Sequence, residues 1–222
     1  MKKFLIFCSL SSLIVLTSCF SKNSKVVSGD LPAGFYKLEK SHASLIFRVN
    51  HLGFSNYTAR FKRFDAELKF DPKKPADSQV TATIDPTSIE TDYPDAKKLN
   101  FNSVLQSKQW LGVVQFPQIK FRSTKVELTG KNTAKISGEL SLHGITKKVV
   151  LNAVFNGGYA GHVMDKSGAR IGFSATGSLN RSDFGISSGI PEKDSNLGVG
   201  DKVEFTLEVE FTKPKVTTQL GN

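Results

Sequence analysis

The side chains able to do chemistry are few in this 222-residue chain and far apart. The four histidines, His42, His51, His143 and His162, form neither an H-x-H pair nor an H-E-x-x-H run, and the acidic residues are scattered. A metal site would have to be assembled across separate elements, and none is expected. Paired carboxylates stay open, because any two strands can bring acids together. Arg181 and Asp183 suit the bracing of a loop by charge and hydrogen bonding better than catalysis. The two cysteines, Cys8 and Cys19, stand at the start of the chain. These residues give no reason to expect an enzyme or a required cofactor.

The chain begins as a processing signal begins. Lys2 and Lys3 precede the apolar run Phe4 to Val15, which is shorter than the roughly 20 residues a membrane helix needs. Leu16-Thr17-Ser18-Cys19 follows and resembles the bacterial lipobox, whose cleavage leaves the cysteine first and acylated. The alternative is an ordinary secretory signal with an accidental cysteine. Residues 1–18 are thus read as a lipoprotein signal peptide, Cys19 as a lipid anchor, and 19–34 as a polar tether. Phe20 and Ser21 follow the cysteine with no Asp, so the expected place is the cell envelope, facing the periplasm, on the outer rather than the inner membrane. Cys8 leaves with the leader, so the exported domain has no disulfide and must rely on its own core. The net charge of +10 stays positive without Lys2 and Lys3, and suits anionic partners such as phospholipid head groups or phosphate-bearing lipids. Nucleic acid is set aside: the signal exports the chain, and no basic stripe with interleaved aromatics is present.

Period-two alternation fills most of the rest. The runs are Tyr36 to His51, Tyr57 to Phe70, Gln79 to Ile89, Gln118 to Leu128, Thr133 to Leu142, Lys147 to Phe155, Ala169 to Leu179 and Asp201 to Phe211. Asp71-Pro72, Gly130, His143-Gly144 and Asn156-Gly157-Gly158 supply turns between them. Asp95 to Leu111 lacks the alternation, and a short helix or two is expected there, with Leu99, Val104, Leu105, Trp110 and Leu111 on its apolar side. Eight strands with one apolar face each must cover that face, either by curling into an antiparallel barrel or as a two-sheet sandwich. A membrane-spanning barrel is disfavoured by the charged alternate faces of Tyr57 to Phe70 and Asp201 to Phe211.

Several segments carry a resemblance. Tyr36-Lys-Leu-Glu-Lys-Ser-His42 with Phe47-Arg-Val-Asn-His51-Leu-Gly-Phe54-Ser55, then Phe116-Pro117-Gln-Ile-Lys-Phe121, Leu142-His143-Gly144-Ile145-Thr146-Lys147, Arg181-Ser182-Asp183-Phe184-Gly185 and Val199-Gly200-Asp201 resemble YceI-like proteins in order and spacing, over roughly Phe35 to Phe211. One departure is Lys97-Lys98-Leu99-Asn100, where the family usually has an Arg-Asp. The resemblance implies an eight-stranded antiparallel lipocalin-like β-barrel with a short helical insertion over 35–213, followed by a tail at 214–222. It implies binding or carriage of a long-chain amphiphile: a polyisoprenoid, an isoprenoid quinone or a fatty amide. The other readings are an enzyme acting on an envelope lipid, and a structural or adhesive barrel with a filled core. The 17 Phe, against 4 Tyr and 1 Trp, suit a dry tunnel and a solid core equally.

With the ligand inside, the expected interior contacts are Phe47, Val49, Phe64, Leu68, Leu151, Ala153, Phe173, Ala175, Phe205 and Leu207. If strands alternate up and down in sequence order, one rim collects His51, the Asp95–Leu111 segment, His143, Lys147, Lys148, Arg181, Asp183 and the Ser187–Gly200 loop. That rim is the expected mouth. His51, His143, Lys148 and Arg181 are the expected contacts of the head group, where an anionic head would gain charge-assisted hydrogen bonds. The sequence leaves the oligomeric state and the ligand's identity open.

Overall fold

The computed structural model describes residues 31–214. The alternating runs become strands: β1 (Gly34–His51), β2 (Ser55–Phe61), β3 (Phe64–Phe70), β4 (Gln79–Ile84), β5 (Ile89–Glu90), β6 (Ile119–Leu128), β7 (Thr133–Leu142), β8 (Ile145–Tyr159), β9 (Ala169–Asn180) and β10 (Val199–Lys213). They form one antiparallel sheet closed by the pairing of β10 with β1. The closing register sets Leu45 opposite Leu207, Phe47 opposite Phe205 and Val49 opposite Val203.

Eight barrel positions account for these strands, because two runs are each interrupted. β2 and β3 are halves of one run, pairing with the far and near parts of β1. β4 and β5 are halves of the next, set against β3 and β2. The two breaks coincide. Pro86 has no N–H to give a ladder, and Pro86–Ser88 forms a 3-10 turn capped by Asp85, which accepts from the Thr87 N–H. Ser88 Oγ accepts the Arg63 N–H at 2.9 Å, and the Lys62 N–H donates to the Ser88 carbonyl at 3.1 Å. Both runs therefore turn the same corner together. Counted by position, this is the expected closed eight-stranded antiparallel barrel, with neighbours in sequence order.

One end of the barrel is filled. Tyr36, Leu38, Leu68, Phe70, Ala169, Ile171 and Phe211 are buried together there, with Tyr36 and Ile171 at 0% exposure. Tyr36 meets Phe70 edge to face at 6.2 Å and donates its hydroxyl proton to the Pro32 carbonyl at 2.6 Å. The opposite end carries the long connections, including one helix, α1 (Phe101–Gln106), whose N-cap Asn100 accepts from the Ser103 N–H. This helical segment is shorter than Asp95–Leu111, and its apolar side differs from the one expected. Leu99 stands exposed before the helix, just after the turns at 94–98. Phe101, unnamed in that reading, turns inward instead, packing against Tyr57 and Tyr93 at 5.7 and 5.8 Å.

Candidate ligand cavity

The inward faces of the strands do not meet across the axis. They enclose a cavity of about 700 Å³, within the range of small-molecule sites. All ten residues expected inside line it: Phe47, Val49, Phe64, Leu68, Leu151, Ala153, Phe173, Ala175, Phe205 and Leu207. Two glycines help to keep it open. The ring of Phe121 lies over Gly138 and the ring of Phe205 over Gly177, so closely that neither glycine has room for a Cβ. Each ring thus lies against the wall, where a bulkier neighbour would drive it toward the axis. The filled end forms the floor, since Tyr36, Phe70 and Ile171 lie outside the lining that Leu68, Phe173 and Phe211 contribute.

The lining residues that carry a side-chain nitrogen or oxygen are His51, Tyr57, Tyr93, Trp110 and Arg181. All five belong to the rim where β1 ends and β10 begins, together with Phe101 and Leu105 of α1. The helix is tied to the wall by Asn102, which accepts from the Thr91 hydroxyl at 2.7 Å and the Thr91 N–H at 3.0 Å and donates to Glu90 at 3.2 Å. That bond, with the Asp92 N–H, holds the Glu90 carboxyl below its ordinary range. The Tyr57 hydroxyl donates to the Thr91 carbonyl at 3.2 Å.

The four residues expected at the head group are not brought together. His51 lies at the lip of the cavity, exposed on one side. Lys148 is on the outer wall. Val149 and Leu151 face in, so period two turns Lys148 out, opposite Glu139 of β7. His143 is a turn residue. With φ of 51° beside Gly144 at 77°, it forms the two-residue hairpin that needs positive φ at both positions. Its ring packs on Phe116 at 4.7 Å and its Nδ1 bonds the Phe184 carbonyl at 3.1 Å; a carbonyl only accepts, so Nδ1 carries the proton.

Arg181 does line the cavity, but its donors point away from it. The side chain is 4% exposed. Nε donates to the Gly200 carbonyl at 2.9 Å, Nη1 to Ile186 and Ser188 at 3.0 and 2.8 Å, and Nη2 to Val199 at 2.7 Å. Its guanidinium lies 5.2 Å from the Trp110 ring, and burial lowers its pKa. The nearby acid that matters is not Asp183 but Asp201, which accepts from the N–H and hydroxyl of Ser182 at 2.8 and 2.7 Å. Arg181 therefore ties the 181–198 connection to the start of β10. Among the described residues, no three of His, Cys, Asp or Glu are grouped to hold a metal ion.

A meandering barrel closed on itself, with a floor of packed rings and an apolar cavity, defines the lipocalin-like class. The chain belongs to the YceI-like family: residues 36–211 match the YceI-like domain. It is 36% identical over 181 residues to a UPF0312 protein of Pseudomonas savastanoi pv. phaseolicola, covering 80% of this chain and 86% of that one. Among solved structures it is similar to Burkholderia cenocepacia BcnA, with a TM-score of 0.64, 23% identity and coverage of 78% and 98%. It is also similar to a polyisoprenoid binding domain from Saccharophagus degradans, with a TM-score of 0.56, 15% identity and coverage of 82% and 100%.

Proposed function

We propose that this protein binds one long-chain amphiphile in its barrel and holds or carries it without chemical change. The observation that carries the reading is the cavity, apolar from floor to lip with its polar side chains confined to one rim. A hydrocarbon chain gains about 0.8 kcal/mol for each CH₂ it removes from water, and such a lining asks for no polar partner along its length. The name of the Saccharophagus domain supports a polyisoprenoid; an isoprenoid quinone or a fatty amide meets the same requirements. Carriage is favoured over turnover because, of the groups that line the cavity, His51 is the natural general acid or base and it lies at the solvent-exposed lip.

The chain's single tryptophan provides the test, since Trp110 lines the cavity. Titrating delipidated protein with a polyprenol should change Trp110 emission and saturate near one equivalent. No change, or no saturation, would contradict the reading. We propose in addition that the protein is anchored in the envelope through Cys19, on the outer membrane. Residues 1–30 lie outside the described ones, and the support is Leu16-Thr17-Ser18-Cys19 after a short apolar run. Cys19→Ala should move the protein out of the membrane fraction or leave it uncleaved; an unchanged membrane-bound, processed product would refute the anchor.

A further inference from the structure

The polar end of any amphiphile in this barrel must sit at the lip, because every lining side chain with a nitrogen or oxygen is there. His51, Tyr93 and Trp110 offer an imidazole, a hydroxyl and an indole N–H, and the Tyr57 hydroxyl, its proton given to the Thr91 carbonyl, can still accept; a neutral head can meet all of these. Arg181 is the one Lys or Arg among the described lining residues, and it is not available. A guanidinium has five N–H groups in a fixed fork, and four of them go to the carbonyls of Gly200, Ile186, Ser188 and Val199. The cations around it do not replace it. Arg60 pairs with Asp92 at 2.8 Å and Lys62 with Glu90 at 3.7 Å. Lys97, Lys98, Lys108 and Lys193 are exposed and outside the lining.

From this we propose that the barrel selects by head charge: it prefers an uncharged polar head, such as an alcohol, phenol, quinone or amide, over the same chain ending in phosphate or diphosphate. This rests on the carriage reading and reverses the anionic head suggested by the basic composition. An anion drawn to the lip loses part of its hydration with no available lysine or arginine in the lining to replace it, which is costly. A neutral head loses less and is matched by the groups present. The fold uses its one buried cation to hold a loop.

The test is a competition on the delipidated full chain between a polyprenol and the polyprenyl monophosphate of equal length, read by native mass spectrometry at fixed salt. The alcohol should win by about tenfold or more, the penalty for leaving an anion unpaired. Equal occupancy, or a preference for the phosphate, would overturn the selectivity and leave carriage standing. Binding of neither lipid would overturn carriage and the selectivity with it. Tyr93→Arg adds a cation at the lip, at a half-buried connection residue, and should narrow the ratio several-fold. An unchanged ratio in that variant would show that the head does not lie at the lip and would refute the assignment.

Discussion

Lys148 and Arg181 carry the same charge at the same rim, yet the fold uses them in opposite ways. Lys148 is solvated on the outer wall, while Arg181 is buried beneath a loop. Arg181→Ala leaves four backbone carbonyls without their donor, and each buried orphan costs about 1–3 kcal/mol. Urea denaturation should therefore show a loss of about 3 kcal/mol or more, with Arg181→Lys recovering only part, because an ammonium cannot reproduce the planar fork. A loss below about 1 kcal/mol, the size expected of an exposed charge, would contradict the bracing role. The position of Lys148 was already legible: it alternates with Val149, Leu151 and Ala153, so period two alone turns it outward. The role of Arg181 was not legible, because its acceptors belong to residues 186–200 and meet it only after the connection folds back. His143 is similar, since nothing in its type announces a positive φ.

The elements show why some boundaries were readable and others were not. Alternation located every barrel position, since each strand has one apolar face to bury. It did not reveal the corner at Lys62–Arg63 and Asp85–Ser88, because the break is made by hydrogen bonds between two runs and leaves both patterns intact. Phe101 was missed because a helix of one and a half turns has too few residues for its spacing to register. The connection between β8 and β9 carries its own device. Asp165 accepts from Arg170 Nε at 2.7 Å and from the hydroxyl and N–H of Ser167 at 2.6 and 2.9 Å, and Arg170 also pairs with Glu210 on β10. The Arg170 bond above all, then those from Ser167 and Tyr159, holds the Asp165 carboxyl far below its ordinary range. A carboxyl depressed in the folded state contributes stability above its unfolded pKa of about 3.9 and loses it as pH falls below that value. Asp165→Asn should thus be less stable than wild type at pH 7, and the gap should shrink as pH drops below about 4. Thermal melts across that range decide it; a constant gap would show that the carboxylate's charge does not matter.

For the whole molecule, closure is the organising fact. The pairing of β1 with β10 closes the sheet on itself, and the packed floor leaves the mouth at the rim that carries the long connections. The barrel was legible because amphipathic strands in series have few ways to hide their faces. Whether its interior was hollow was not, since the same phenylalanines fill a core or line a tunnel. The outcome depends on ring placement, with Phe121 and Phe205 laid over Gly138 and Gly177. If the hollow holds a single lipid, as proposed, native mass spectrometry of the protein taken from its own envelope should detect it. One long-chain amphiphile per barrel is expected, with occupancy reduced in Ala153→Trp, whose added ring would enter the cavity while the protein stays folded. A wild-type barrel that emerges with no bound lipid, and an Ala153→Trp variant that is more stable for having filled the space, would contradict it.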